Sequence, residues 1–155
     1  MVEIDGFLAP ERILLGWRCA SKRQLFQDLA ATAAEATGLD QAAILAALNQ
    51  REKLGTTGIG EGIAIPHARV KDLGSLIGFF ARLASPVDYD ALDDAPVDLV
   101  FLLLAPEEAT NTQLKALARI ARLLRDPKIC ARLRGDLSAG QLYELLTGRH
   151  PVDGA

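Results

Sequence analysis

The stretch Val97-Asp-Leu-Val-Phe-Leu-Leu-Leu-Ala105, closed by Pro96 before it and Pro106 after it, decides the fold class. A short apolar run without polar alternation reads as a strand buried on both faces, as in a sheet with helices packed above and below. A second block, Ser75 to Leu83, repeats the pattern between Gly74 and Pro86. Neither approaches the roughly 20 apolar residues that span a bilayer, so no membrane insertion is expected.

Helical patterns flank these strands. Ser21-Lys-Arg-Gln24 has capping-box spacing, and Leu25, Phe26, Leu29 and Ala30 follow at helical intervals, predicting a helix over 22–37 stopped by Gly38. Asp40 is placed to cap a second helix, with Ile44, Leu45 and Leu48 inside and Arg51 near its end. Beyond Pro106, Thr112 is expected to cap a third helix whose inner stripe is Leu114, Leu117, Ala118, Ile120, Ala121 and Leu124. Pro127 opens a short helix to about Arg134, and Ser138-Ala-Gly-Gln141 starts a last one that ends at Gly148. Helices, strands, then helices make an α/β layer fold. No repeat, linker or second domain is visible; residues 1–149 are expected to form the domain and 150–155 a fraying tail.

Composition narrows the function. The 155 residues are 50% hydrophobic and 24% charged with net charge −3, a balance that gives no support for nucleic-acid binding. Cys19 and Cys130 lie far apart without metal-ligand spacing, so neither a zinc site nor a disulfide is expected. Met1-Val-Glu-Ile-Asp5 lacks the basic opening of a secretory signal, and a cytoplasmic setting is the expectation.

The chemistry concentrates in Arg51-Glu-Lys-Leu-Gly-Thr-Thr-Gly-Ile-Gly-Glu-Gly-Ile-Ala-Ile-Pro-His67. Glycines 55, 58, 60 and 62 let backbone N–H groups approach an anion. The run is no Walker loop, and Ile63 stands where G-x-G-x-x-G needs its third glycine, so nucleotide binding is disfavoured. Pro66 stiffens the chain before His67, whose neutral imidazole is a competent nucleophile near its ordinary pKa of about 6.5. Arg51 is either a solvated helix-end cation or a fork folded back onto phosphoryl oxygens. Thr56 and Thr57 either donate hydroxyls to the anion or shape the turn, and Glu61 either orients the imidazole or Arg51 or faces solvent. No Ser/His/Asp or Cys/His arrangement suggests a hydrolase.

The run from Arg51 to His67 resembles the active-site signature of the mannitol/fructose-type EIIA domains of the phosphotransferase system, closest to their nitrogen-regulatory branch. Ala91-Leu-Asp-Asp-Ala-Pro-Val-Asp-Leu-Val-Phe-Leu-Leu-Leu-Ala-Pro106, Leu114 to Asp126, Ser21-Lys-Arg and Leu142-Tyr-Glu-Leu-Leu146 carry the likeness over nearly the whole chain. The resemblance implies a mixed, mostly parallel sheet flanked by helices. It makes His67 the phosphoryl acceptor, aided by Arg51, with Thr57, Gly58, Gly60, Glu61 and Gly62 around the phosphoryl group and no cofactor or metal. It also implies an HPr-like phosphocarrier as donor and, in the regulatory branch, partners such as a sensor kinase or a potassium transporter in nitrogen and potassium metabolism. Two alternatives stay open: a sugar-transport EIIA that passes phosphate to an EIIB domain, and a phosphorylation-impaired binding module. The second arises because Gln113 stands where the family commonly carries a second histidine. A glutamine donates an N–H but cannot become cationic, a loss of about 1–3 kcal/mol of phosphoryl stabilisation. A phosphocarrier of this kind belongs to the transferase class rather than to turnover enzymes.

Overall fold

A computed structural model describes residues 3–148, and the expectation for the tail 150–155 lies outside them. In chain order the strands are β1 (Ile13–Trp17), β2 (Gly58–Gly60), β3 (Ile63–Ala64), β4 (His67–Val70), β5 (Ile77–Val87) and β6 (Val97–Pro106). The helices are α1 (Lys22–Thr37), α2 (Gln41–Lys53), α3 (Thr110–Leu124), α4 (Pro127–Leu133) and α5 (Ala139–Thr147).

The sheet runs β1-β5-β6-β3-β2, with β4 also paired to β6. Three ladders are parallel (β1 with β5, β3 and β4 with β6), while β5 with β6 and β2 with β3 are antiparallel. β6 is the centre. One of its edges meets β5, and the other meets β3 at Leu99 and Val100 and then β4 from Leu103 to Pro106. Ile65 and Pro66 interrupt what would otherwise be one strand, because proline has no N–H for the ladder. The carbonyl of Pro66 still accepts from the N–H of Leu103 at 3.0 Å, so the strand resumes in register at His67.

The apolar run of β6 is indeed buried on both faces. Val100, Leu102 and Leu104 pack with α1 and α2, while Leu99, Phe101 and Leu103 pack with α3, α4 and α5. Phe101 makes edge contacts with Phe7 and Phe80 at 6.3 and 6.4 Å. Burying such a side chain stabilises the fold by about 1.5–3 kcal/mol, so this strand contributes on both sides of the sheet.

The caps expected at Ser21, Asp40 and Ser138 are present, and Asp126 caps α4 as well. Ser21 accepts from Gln24 N, Asp40 from Ala43 N and Asp126 from Lys128 N, and Ser138 with Gln141 completes a capping box. Gly38 and Gly148 close α1 and α5 in the left-handed region. α3 differs. It starts at Thr110, two residues before the expected cap Thr112, and no side chain caps it. Its inner stripe is Gln113, Ala116, Ile120 and Leu124, whereas Leu114 is 59% exposed and Ala118 also faces outward. Starting the helix earlier does not itself turn the stripe; the spacing of three, four and four from Gln113 does, and it puts a polar residue at the head of a buried face.

Candidate functional site

Two elements bring the candidate side chains together. α2 ends at Lys53 and delivers Arg51, and β4 begins with His67 on the edge of β6. The Nδ1 of His67 lies 2.9 Å from the carbonyl oxygen of Ile65. A carbonyl only accepts, so Nδ1 carries the proton and Nε2 holds the lone pair. Arg51 Nε donates to that Nε2 at 3.2 Å, and Arg51 Nη1 donates to the carbonyl of Gly55 at 2.8 Å. His67 is half-buried, and burial pushes its pKa below the ordinary value of 6.5. The Ile65 carbonyl and the Glu52 carboxylate oppose that shift, while the Arg51 cation adds to it. At neutral pH the imidazole is therefore uncharged, protonated on Nδ1 with its lone pair on Nε2.

A cleft of about 670 Å³ opens over this pair. Lys53 and Arg69 join Arg51 on its walls against the single carboxylate of Glu107, which makes it an anion-attracting site. Gln113 also lines it. The residue is 7% exposed, and its Nε2 has no hydrogen-bond partner among the described residues. A buried amide N–H without a partner is costly unless a ligand completes it, so Gln113 offers a donor to a bound oxyanion.

Arg69 escaped the sequence reading. It donates from Nη1 to the Thr110 hydroxyl at 2.9 Å and, at 3.4 Å, to the carbonyl of Glu107. Period two along a strand puts residues 67 and 69 on one face, a signal available once β4 is recognised. Glu52 escaped it as well: its carboxylate accepts from the N–H and hydroxyl of Thr57, both at 2.8 Å.

The glycine run is placed differently from expectation. Gly58, Gly60, Glu61 and Gly62 do not line the cleft; they form the β2–β3 hairpin. Glu61 and Gly62 both have positive φ, 60° and 81°, as a tight primed hairpin turn requires. Several of their polar groups are engaged within the fold. Gly58 N donates to the Thr56 hydroxyl, Glu61 N to Asp93, and the Glu61 carbonyl accepts from Arg134. A Cβ on Gly58 would stand 2.7 Å from that of Ala91, so close packing requires this glycine. Thr57 is buried and its hydroxyl is engaged by Glu52 and Tyr89 rather than free for an anion.

Among the described residues, no group of three or more His, Cys, Asp or Glu side chains is arranged to hold a metal ion, and no helix is long and apolar enough to cross a membrane.

The family model described as "Phosphoenolpyruvate-dependent sugar phosphotransferase system, EIIA 2" matches residues 6–148. The chain is 52% identical over 143 residues to a nitrogen regulatory protein of Bradyrhizobium diazoefficiens, covering 92% of this chain and 94% of that one. It is 42% identical over 147 residues to a nitrogen regulatory protein of Pseudomonas aeruginosa, covering 94% and 96%. The crystal structure of nitrogen regulatory protein IIA-Ntr from Neisseria meningitidis superposes with a TM-score of 0.89 at 36% identity, covering 93% of this chain and 99% of that one.

Proposed function

Since the chain belongs to the EIIA 2 family of the phosphoenolpyruvate-dependent sugar phosphotransferase system, we propose that it accepts a phosphoryl group on Nε2 of His67 from an HPr-like phosphocarrier and regulates partner proteins by its phosphorylation state. The observation that carries this reading is the hydrogen-bonded pair itself. His67 is fixed by Ile65 as the Nδ1–H tautomer, with its lone pair turned to Arg51 in an electropositive cleft.

The transfer balances without a proton step. Nε2 of neutral His67 attacks the phosphorus of the donor's phosphohistidine in line, a new N–P bond forms, and the donor's N–P bond breaks. The donor ring, protonated on its other nitrogen in the phosphorylated donor, leaves as a neutral imidazole. The phosphorylated ring of His67 carries the positive charge at Nδ1–H, where the Ile65 carbonyl already accepts its hydrogen bond. Arg51 Nε occupies the lone pair before transfer, so the guanidinium moves from nitrogen to phosphoryl oxygen as the bond forms. Arg69 and Lys53 add positive charge, and the unpartnered Nε2 of Gln113 supplies a neutral donor. Both ends of the transfer are P–N bonds of similar energy, so positioning and electrostatics carry the rate.

The regulatory assignment draws on the relatives described as nitrogen regulatory proteins, which match over nearly their whole length. In this reading the protein is cytoplasmic, and the roughly −2 charge added at the cleft changes which partner docks there, such as a sensor kinase or a potassium transporter. Leu54, 83% exposed on the cleft wall beside Arg51, gives such a partner an apolar anchor.

The test is incubation with a phosphorylated HPr-type donor, followed by mass-spectrometric mapping of acid-labile phosphate. Stoichiometric label on His67 supports the reading, and label that persists in His67→Ala refutes it.

A further inference from the structure

Glu52 follows Arg51 on the last turn of α2, and its carboxylate is almost fully committed. Oε2 accepts from the backbone N–H of Thr57 at 2.8 Å and pairs with Lys22 Nζ at 2.8 Å, and Oε1 accepts from the Thr57 hydroxyl at 2.8 Å. The one hydroxyl proton of Thr57 goes to that carboxylate. In the 2.7 Å contact between Thr57 Oγ1 and the Tyr89 hydroxyl, Tyr89 is therefore the donor. Tyr89 is fully buried, and Lys22 Nζ lies 4.3 Å from the centre of its ring.

Two short routes lead from this cluster to the reacting pair. The Thr57 carbonyl accepts from the N–H of Ile65 at 2.9 Å, and the Ile65 carbonyl accepts from His67 Nδ1 at 2.9 Å. The same threonine closes the loop that carries the Gly55 carbonyl, which holds Arg51 Nη1. Fixing Thr57 by both its N–H and its hydroxyl thus fixes the acceptor for His67 and the acceptor for Arg51.

We propose that Glu52 is a positioning residue for the phosphoryl-accepting pair: through Thr57 it sets the Nδ1–H tautomer of His67 and the orientation of Arg51. The part concerning transfer rests on the function proposed above, and the part concerning the tautomer stands without it. A plain structural role for the Lys22–Glu52 ion pair makes a different prediction, since it would lower stability and leave the imidazole unchanged.

The experiment compares the wild-type chain with Glu52→Ala, Thr57→Val and Thr57→Ser. Leu145→Ala, in the apolar core on the opposite face of the sheet, is the control for loss of stability alone. Imidazole 15N shifts report the tautomer below each melting temperature, and transfer from a phosphorylated HPr-type donor reports kcat and KM. The wild type, Thr57→Ser and Leu145→Ala are expected to show the Nδ1–H form. Glu52→Ala and Thr57→Val are expected to show mixed tautomers and kcat lowered about tenfold, the loss of roughly one buried hydrogen bond, with little change in KM. A tautomer population in Glu52→Ala equal to that of Leu145→Ala overturns the proposal. Should Glu52→Ala not fold, wild-type shifts in Thr57→Val overturn it in the same way. A tautomer change in a chain whose wild type takes no label leaves the positioning role standing and removes the transfer reading.

Discussion

Arg51 donates from Nε to Nε2 of His67 at 3.2 Å, which places the guanidinium on the lone pair that attacks phosphorus in the proposed transfer. Its charge must therefore shift outward onto the phosphoryl oxygens during transfer. Losing one preorganised donor of this kind costs about 2.7–4 kcal/mol in the transition state. Arg51→Ala is expected to lower the phosphorylation rate about 10²–10³-fold. Arg51→Lys should recover little of it, because an ammonium cannot hold the Gly55 carbonyl and a second acceptor in one plane. Single-turnover transfer from a phosphorylated donor measures both, and a lysine variant near wild-type rate would reject a specific guanidinium role.

The pH dependence follows from the downward shift at His67, caused chiefly by burial. A histidine with a lowered pKa binds fewer protons folded than unfolded at pH values between its folded pKa and about 6.5. Stability is then fully present above about 6.5 and is lost as pH falls through that window toward the folded value. The melting temperature of the wild type should fall on acidification relative to that of His67→Gln, which has no titrating ring. The transfer rate should hold flat from pH 8 to below 6.5, since Nε2 stays unprotonated there. A rate that halves at or above pH 6.5 would contradict the assignment.

The strands and the site were legible to different degrees. Val97 to Ala105 declared itself because a run buried on both faces needs no alternation, and the caps Ser21, Asp40 and Ser138 were readable because Ser and Asp stand at the right offsets. β1, β2 and β4 were not readable. Ile13 to Trp17 contains Gly16 at positive φ and breaks register beyond Leu15, and in β2, Gly-Ile-Gly, two glycines of three weigh against a strand. The pairing of Arg51 with His67 was accessible from the signature. The hairpin role of its glycines was not, because the groups that force it (Ala91, Asp93 and Arg134) come from distant chain.

Gln113 tests how far a neutral donor substitutes for a cation. Its unpartnered Nε2 is worth about 0.5–1.5 kcal/mol once a phosphoryl oxygen arrives, so Gln113→Ala should slow transfer roughly two- to tenfold. Gln113→His adds a group able to carry charge, and a charged hydrogen bond contributes about 1.5–3 kcal/mol. The phosphorylated form of Gln113→His is expected to hydrolyse more slowly than that of the wild type. Equal half-lives by time-resolved intact-mass measurement would show that residue 113 does not touch the phosphoryl group.

The last prediction separates the two roles open to the glycine run. At Gly62 φ is +81°, and an added Cβ would stand 2.9 Å from Asp98 Oδ1 and closer still to the Arg134 guanidinium. That guanidinium pairs with Asp98 and caps the carbonyl of Glu61, so it has little room to yield. Gly62→Ala should therefore cost about 2 kcal/mol from the left-handed backbone and the clash together. In a chain of this size that lowers the melting temperature by about 4–8 °C. Transfer measured well below that temperature should change by less than about twofold, because the hairpin lies off the cleft. If the glycine amides instead cradled the phosphoryl group, as the sequence pattern suggests, the rate would collapse while the protein remained folded. Calorimetry and single-turnover transfer on the same sample decide between the two.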